Sequence, residues 1–180
     1  MNKRSSILNI AAIGIFALIA DALSPVSGIR AAAAAADTQS GQLESTEKAE
    51  VERAMSEYSD AFIRGDISAI GQKIHAPFTY ISSQRVEVFS TTSEIEAWYG
   101  DRLRDLKQRG YSYSKRSETY VKLLDRNIAL VSAIYTRYRA DGSELETNGN
   151  TYLLHKTEGK WKIVVTTRHL PANVVKAEKS

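Results

Sequence analysis

The sequence predicts an α+β fold, in which three N-terminal helices pack on one face of a strongly curved antiparallel sheet. Three observations support this prediction. Apolar residues recur at helical spacing before residue 110, and four long extended stretches follow, separated by short turn sequences. In the closing hairpin, residues 150–170, two apolar-rich runs flank the turn at Glu158 and Gly159, and Trp161 opens a mostly buried strand.

The first two helices are predicted from their apolar faces and their end signals. Ser45 or Thr46 is expected to cap the first helix, and Gly65 to end it. The apolar face of this helix comprises Val51, Ala54, Met55, Tyr58 and Phe62. Asp66 is expected to cap a short second helix that ends before Pro77, because the residue preceding a proline disfavours helical geometry.

A third helix and six strands complete the predicted domain. Thr91 with Glu94, or Ser93 with Glu96, fits a capping box at the start of the helix. The predicted strands are 78–82, 86–89, 111–124, 128–139, 145–156 and 160–169. The last four are expected to be antiparallel neighbours, because their connections are short. The Asn-Gly pair at 148–149 lies inside one of them and predicts a β-bulge.

Residues 1–36 are predicted to be a secretory signal peptide. Lys3 and Arg4 precede an apolar run at 7–20, and alanines at 31–36 offer a cleavage site. The run is shorter than the roughly 20 residues of a membrane-spanning helix, which favours cleavage over the alternative of an uncleaved anchor. The mature protein is then periplasmic or secreted, with a polar linker at 37–47, a domain at 48–171 and a tail at 172–180.

Composition excludes several classes of function. The leader holds three of the 24 basic residues and one of the 21 acidic residues, so the remainder is nearly neutral and unlike a nucleic-acid binder. The chain has no cysteine, which excludes disulfides, thiolate metal sites and cysteine nucleophiles. The three histidines lack the spacing of a shared metal site. We therefore predict no metal, no cofactor and no nucleic-acid partner.

Two motifs resemble the nuclear transport factor two-like superfamily. The segment Tyr58-x-x-Ala61-Phe62-x-x-Gly65-Asp66 is similar to the helix–Gly-Asp–helix opening of that superfamily. Its last hairpin is similar to Gly149-x-x-Tyr152 followed by Lys156-x-x-Gly159-Lys160-Trp161-Lys162-Ile163. The SnoaL-like and ketosteroid-isomerase-like small domains are the best match, over residues 49–170. The resemblance implies a cone in which a bent sheet and three helices enclose an apolar pocket.

The resemblance supplies only part of an isomerase site. Tyr58 matches the tyrosine that donates a hydrogen bond to the oxyanion in ketosteroid isomerases. The general-base aspartate of those enzymes lies on the first strand after the second helix. That strand reads Phe78-Thr79-Tyr80-Ile81-Ser82-Ser83 here, without a carboxylate. The matching position therefore cannot supply the base that proton abstraction requires.

His169 is the second candidate catalytic residue. Strict alternation along the last strand places it in phase with Trp161 and Ile163. If that face is concave, His169 stands at the pocket mouth, where an imidazole suits acid–base work; if not, it is exposed. The candidate ligand-binding residues are Tyr80, Trp98, Tyr135, Tyr152 and Arg137. Tyr80 and Trp98 are equally compatible with ordinary core packing. Arg137 either binds an anionic group or extends over the outer sheet surface.

Three functions remain open at this point. The first is an exported domain that binds a small apolar or aromatic molecule without catalysis. The second is a proton-transfer enzyme of the isomerase, dehydratase or cyclase type, using Tyr58 and His169. The third is a structural or accessory dimeric subunit. Both faces of residues 128–135 are largely apolar, which predicts a homodimer through the sheet. Contact with a membrane is expected only through the leader, before cleavage.

Overall fold

The computed structural model describes residues 25–176 and divides the chain into two compact units, 1–39 and 40–180. In the first unit, residues 25–39 form the beginning of helix α1 (Pro25–Arg64). Among the described residues, no helix combines the length and hydrophobicity that crossing a membrane requires. The apolar run at 7–20, on which the leader prediction rests, lies outside the described residues.

Helix α1 begins earlier than predicted. Ser45 and Thr46 lie inside it, and both hydroxyls donate hydrogen bonds of 2.9 Å to the Gln42 carbonyl. The predicted cap at these residues is wrong, and the predicted linker at 37–47 is helical. Inside a helix, a serine or threonine hydroxyl can donate a hydrogen bond to the backbone carbonyl three or four residues earlier. A serine or threonine therefore does not by itself mark the start of a helix.

The apolar face of α1, its end at Gly65 and the predicted caps of α2 and α3 are confirmed. Residues of the predicted α1 face are buried, among them Val51 and Met55 at 0% exposure. Gly65 has a φ of 71°, in the left-handed region typical of helix ends. The Asp66 side chain accepts a hydrogen bond from the Ala69 backbone and caps α2 (Ile67–Gln72). Thr91 and Glu94 form a reciprocal capping box at the start of α3 (Thr92–Gln108).

Six strands form one sheet, in the order β2-β1-β6-β5-β4-β3. Their bounds are β1 (Ile74–Ile81), β2 (Val86–Phe89), β3 (Tyr113–Asp125), β4 (Ile128–Tyr138), β5 (Glu144–Thr157) and β6 (Lys160–His169). Neighbouring strands are antiparallel except β1 and β6, which are parallel. The predicted α+β architecture of helices on a curved, mostly antiparallel sheet is confirmed.

Strand β1 corrects the predicted end of the second helix. Helix α2 ends at Gln72, and the segment before Pro77 is a strand. Ile74 pairs with Ile163 of β6, and the Ile163 amide donates to the Lys73 carbonyl at 2.9 Å. The proline signal correctly excluded helix at Ala76 but could not place the boundary, because pairing with a strand about ninety residues later decided it.

Bulges in the sheet lie elsewhere than predicted. The ladder is regular at the Asn-Gly pair, where Asn148 faces Tyr135 and Gly149 faces Ile134, so the predicted bulge there is wrong. In β6, Ile163 faces Leu154 whereas Val165 faces Leu153, so Val164 is an inserted residue. Because of this inserted residue, each side chain of β6 after Val164 points to the opposite face of the sheet from the one that strict alternation predicts.

Candidate functional site

Aromatic side chains fill the space between the helices and the concave face of the sheet. Tyr58 lies at the centre, with ring centroids 6.2 Å from Tyr99 and 6.0 Å from Tyr152. The Trp98 ring lies 4.9 Å from that of Tyr80, between centroids, with the two planes tilted by 50°. The interior retains two small cavities of about 20 and 30 Å³, each with room for about one or two water molecules. The apolar pocket implied by the resemblance is present only in this reduced form.

Tyr58 is buried, and its hydroxyl pairs with that of Tyr99, a residue that the sequence analysis did not name as a site candidate. The Tyr58 and Tyr99 hydroxyls lie 3.0 Å apart, and both side chains are buried. Burial raises the pKa of Tyr58 to about 12, against the smaller opposing effect of the Tyr99 hydrogen bond. Burial also raises the pKa of Tyr99 well above its ordinary value. The pair is therefore a neutral hydrogen-bond donor system.

The Tyr58–Tyr99 pair allows a double-mutant test. We expect Tyr58→Phe or Tyr99→Phe alone to lower the free energy of unfolding by about 1 to 2 kcal/mol, because each leaves the other hydroxyl buried without its partner. The double variant should be more stable than the sum of the single losses predicts. Urea unfolding of the four proteins measures the coupling. Additive losses would contradict the mutual dependence of the two hydroxyls.

The predicted position of His169 at the pocket mouth is wrong, because the bulge at Val164 inverts its phase. Trp161 and Ile163 face the core, whereas Val165, Thr167 and His169 face the opposite side of the sheet. The His169 Nδ1 lies 2.8 Å from the Leu170 carbonyl, which can only accept, so Nδ1 carries the proton. The His169 Nε2 then accepts from the Thr151 hydroxyl at 2.9 Å.

The hydrogen bonds of His169 belong to a chain that crosses the outer face from β6 to β4. The Thr151 hydroxyl lies 2.8 Å from that of Ser132, which accepts the Val175 amide at 3.0 Å. The chain thus fixes the segment after β6, including the 3₁₀ turn Pro171–Asn173, against the sheet. A structural role accounts for His169, and no described contact joins it to Tyr58.

The functional candidates that the sequence analysis did not identify lie with Arg137 in a polar cluster, which defines what we call the mouth of the cone. Its members are Arg109, Arg137, Glu146, Asn148 and Arg168. Glu146 pairs with Arg137 and with Arg109, at 2.7 Å for the latter, and its carboxylate lies 3.8 Å from Arg168. Because of the bulge, Arg168 and not His169 faces inward, and its Nη2 and Nε donate to the side-chain Oδ1 of Asn148 at 2.6 and 2.9 Å. One signal was available: Glu146, Asn148 and the buried Asn150 precede Tyr152 in strict alternation, a polar series on an inward strand face.

Arg137, a predicted ligand-binding residue, is buried within this cluster. Its side chain is 10% exposed, and its guanidinium lies 5.4 Å from the centre of the Phe62 ring. Burial lowers the pKa of Arg137, the neighbouring Arg102 lowers it further, and Glu146 opposes both. Arg102 lies over the rings of Tyr80 and Trp98, at 5.5 and 5.4 Å from their centres. Arg137 therefore faces the interior and does not extend over the outer surface.

Of the six buried polar atoms that lack a hydrogen-bond partner among the described residues, four belong to inward-facing residues of β4, β5 and β6. They are the Tyr135 hydroxyl and the Arg137 Nε of β4, the Asn148 Nδ2 of β5 and the Thr166 hydroxyl of β6. Arg137 and Thr166 line the same small cavity, together with Arg102, Tyr80 and Trp98. The second cavity includes the remaining predicted residues, Tyr135 and Tyr152. Buried polar groups in proteins are almost always paired, so this concentration at one site requires an explanation.

The described residues that line the two cavities include neither of the usual proton acceptors, carboxylate and imidazole. Among the described residues, no three residues of the metal-binding types cluster together. Burial opposes ionisation of Glu146, the carboxylate of the polar cluster, but its pairing with arginines lowers its pKa to about 2. The arrangement can donate hydrogen bonds and positive charge to a bound group, but offers it no proton acceptor of suitable basicity.

The Glu146 cluster predicts an acid-side loss of stability. Its pKa falls from 4.5 to about 2 on folding, so its stabilisation is present above pH 4.5 and is lost as the pH falls toward 2. We expect a loss of about 1 to 2 kcal/mol, since the carboxylate is partly exposed and solvent screens its ion pairs. Glu146→Gln should flatten this part of the pH–stability curve, measured by urea unfolding. An unchanged slope in this variant would contradict the assignment.

Comparison with known proteins places the chain in a family. Residues 47–171, more than half of the chain, match the family described as NTF2-like protein (DUF6841). No curated protein matches the chain significantly. These residues coincide with the region in which the sequence motifs resemble the nuclear transport factor two-like superfamily.

Solved structures agree at the level of the fold. An NTF2-like protein from Novosphingobium aromaticivorans has 16% identity and a TM-score of 0.61, over 75% of this chain and 89% of that one. An NTF2-like protein of unknown function from Shewanella oneidensis has 21% identity and a TM-score of 0.55, over 66% and 95%. A candidate dehydratase from Streptomyces avermitilis has 15% identity and a TM-score of 0.57, over 69% and 96%. With its family match and its helices on a curled six-stranded sheet, the chain belongs to the NTF2-like family (DUF6841).

Proposed function

We propose that this protein is an exported small-molecule-binding domain whose site is the mouth of the cone, and that it binds without acid–base catalysis. One observation carries the proposal: the partnerless Arg137 Nε, Asn148 Nδ2 and Thr166 hydroxyl are contributed by three neighbouring strands on the inward side. Leaving such groups buried and unpaired is costly, and a bound ligand would supply the missing acceptors. The aromatic rings of Tyr80 and Trp98 beside them suit an apolar ligand body.

The enzymatic alternative is less well supported. Proton transfer requires a base within hydrogen-bond reach of the substrate. The polar side-chain groups of the described residues that line the cavities belong to tyrosines, arginines, serines, a threonine, an asparagine and a tryptophan, and burial raises the pKa of Tyr58 and Tyr99. The similarity to a candidate dehydratase concerns the fold and transfers no residue to this chain. We therefore propose that Tyr58 and Tyr99 order the interior.

A structural or accessory subunit is the second candidate function. It is favoured by the filled interior, in which Trp98 and Tyr80 occupy space that an open pocket would need.

We also propose a homodimer through the outer sheet face, where Leu130, Ile134 and Leu153 are only half-buried. Sedimentation at micromolar concentration checks the dimer, and a monomeric mass would remove it. Export is checked separately by the N-terminal sequence of the protein isolated from the periplasm or the medium.

Native and denaturing mass spectrometry of protein purified from its own host test the binding function. We expect a small molecule that copurifies with the protein and is released on unfolding, and a thermal shift with members of an apolar and aromatic ligand library. Thr166→Val is the sharpest variant, because it removes a partnerless hydroxyl at nearly constant volume. Without ligand, the melting temperature of this variant should be unchanged or raised, whereas the increase in melting temperature on ligand binding should be smaller than in the unmodified protein.

Thr167→Val is the matched control on the opposite face of the same strand. It should retain the ligand-induced shift of the unmodified protein. A protein that carries no ligand from its host and shows no shift with the library would refute the binding function and favour the subunit role. Equal loss of the shift in both threonine variants would show that the cone mouth is not the site.

A further inference from the structure

Positive charge at the cone mouth exceeds what its single carboxylate can neutralise. Glu146 contacts Arg109, Arg137 and Arg168, and Arg102 lies close enough to Arg137 to lower its pKa. Of these arginines, Arg109 alone has a second acidic neighbour, Asp105 at 3.8 Å. For Arg102, the described residues provide aromatic rings and no carboxylate. Three guanidinium groups thus contact one committed carboxylate and a fourth, that of Arg102, lies near Arg137, an arrangement that suits an additional anion.

The guanidinium of Arg137 has one occupied side and one open side. Its Nη1 donates to Glu146, whereas its Nε is buried and has no acceptor among the described residues. All the guanidinium nitrogens lie in one plane, where Nε–H shares an edge with Nη2 and Nη1 points away from that edge, so the ion pair with Glu146 leaves the Nε edge unused. The residue is 8% exposed, so this edge is not satisfied by bulk water.

Arg137 lines the cavity that Arg102 and Thr166 also line. Thr166 is 5% exposed, and its buried hydroxyl also lacks a partner among the described residues. A bidentate guanidinium edge and a hydroxyl donor are the groups that bind carboxylates in proteins. The cavity of about 20 Å³ admits no more than a small head group, so the ligand body lies outward against half-buried Trp98.

We infer that the ligand of this site is a small organic carboxylate with an apolar or aromatic body, whose carboxylate binds the Nε edge of Arg137 together with Arg102. This inference rests on the proposed binding function and names its ligand class. The limited head-group space favours a planar monoanion over a tetrahedral phosphate. Glu146 holds Arg137 in place in the free protein and competes electrostatically with the incoming carboxylate.

Matched probes test the charge requirement directly. Benzoate, benzamide and phenyl phosphate share an aromatic ring and differ in the head group. We expect benzoate to bind the purified protein at least about tenfold more tightly than benzamide in isothermal titration, because a charge-assisted bidentate contact is lost in the amide. Phenyl phosphate should bind more weakly than benzoate. Benzoate affinity should fall with added salt.

Two arginines of helix α3 supply the matched variants. Arg102→Gln removes a proposed carboxylate ligand and should weaken benzoate binding about tenfold without changing benzamide binding. Arg104→Gln removes the same charge from an exposed position paired with Asp101, and should leave both affinities unchanged. Glu146→Gln should strengthen benzoate binding severalfold. Circular dichroism and melting temperatures establish that each variant is folded. Because Arg102 is only partly buried, we expect the Arg102→Gln protein to fold.

The possible outcomes separate this inference from the proposed function. Equal affinity for benzoate and benzamide, or equal losses in Arg102→Gln and Arg104→Gln, overturns the carboxylate assignment while binding at the mouth stands. Tighter binding of phenyl phosphate than of benzoate overturns it in favour of a phosphate ligand. If no probe binds and the ligand released from the host protein is neutral, the ligand class is wrong although the function holds. If no probe binds and no ligand copurifies from the host, both the carboxylate assignment and the proposed binding function are overturned.

Discussion

Phe78→Ala should lower the free energy of unfolding by about 3 to 5 kcal/mol, the cost of removing a fully buried aromatic side chain that its neighbours cannot replace. Phe78 is 0% exposed and joins three elements. Its ring lies 5.9 Å from Phe89 of β2, 6.2 Å from Trp98 and 6.4 Å from Tyr99 of α3. The loss is large because this aromatic cluster is the core of the cone and not the wall of an open pocket.

Urea unfolding of Phe78→Ala and Val88→Ala measures this effect against a control. Val88 lies on β2 next to Phe89 but is 62% exposed, so its truncation should change stability by less than about 0.5 kcal/mol. The cavity left by Phe78 is lined by apolar groups, and we expect benzene or toluene to recover part of the lost stability. A loss below about 1 kcal/mol, well under the usual range, would mean that the interior is loosely packed at this point.

Gly149→Ala should lower the free energy of unfolding by about 2 to 3 kcal/mol, since overpacking of a close contact forces backbone or side-chain shifts. A methyl group at Gly149 would overlap the Cε1 and Nδ1 atoms of His169 and lie 2.8 Å from the Leu170 carbonyl oxygen. The ring of His169 is held at both nitrogens, so it cannot move without losing hydrogen bonds. The role of Gly149 is therefore steric, a close approach of β5 to the end of β6.

Gly100→Ala is the control for the same chemical change. It lies in α3, with no atom within 4 Å of the added methyl group, and should gain about 0.5 to 1 kcal/mol from helix propensity. The double variant Gly149→Ala/His169→Ala should recover part of the loss, because two of the three obstructing atoms belong to the histidine. A Gly149→Ala protein as stable as the parent in thermal and urea unfolding would contradict the close approach.

The filled interior changes how function should be sought in this protein. In a cone with a deep apolar pocket, the ligand site would be expected at the centre, where the Tyr58 and Tyr99 hydroxyls form a hydrogen bond with each other. Three of the groups that lack partners lie instead at the mouth, on Arg137, Asn148 and Thr166. Binding at this site needs no large cavity, because only a head group has to enter. Ligands with a charged head and a flat body are the appropriate first probes.

The helices and the hairpin could be predicted from the sequence because their signals are local. The apolar face of α1 recurs at a helical period, Asp66 and Thr91 carry capping side chains, and Gly65 ends α1. Those signals, with the motifs around Tyr58 and Trp161, were enough to identify the family. The start of α1 could not be predicted, since a serine inside a helix has the same sequence appearance as a cap.

The sequence by itself determined the element order, the helix faces and the family of this protein, because these depend on neighbours within a few residues. The tertiary structure decided which residues of β6 face inward. Alternation fixes only relative phase, and the insertion of Val164 arises from pairing with Leu153 and Leu154 of β5. That one residue places His169 on the outer face and Arg168 beside Glu146, and so moves the candidate site from a histidine to a group of arginines.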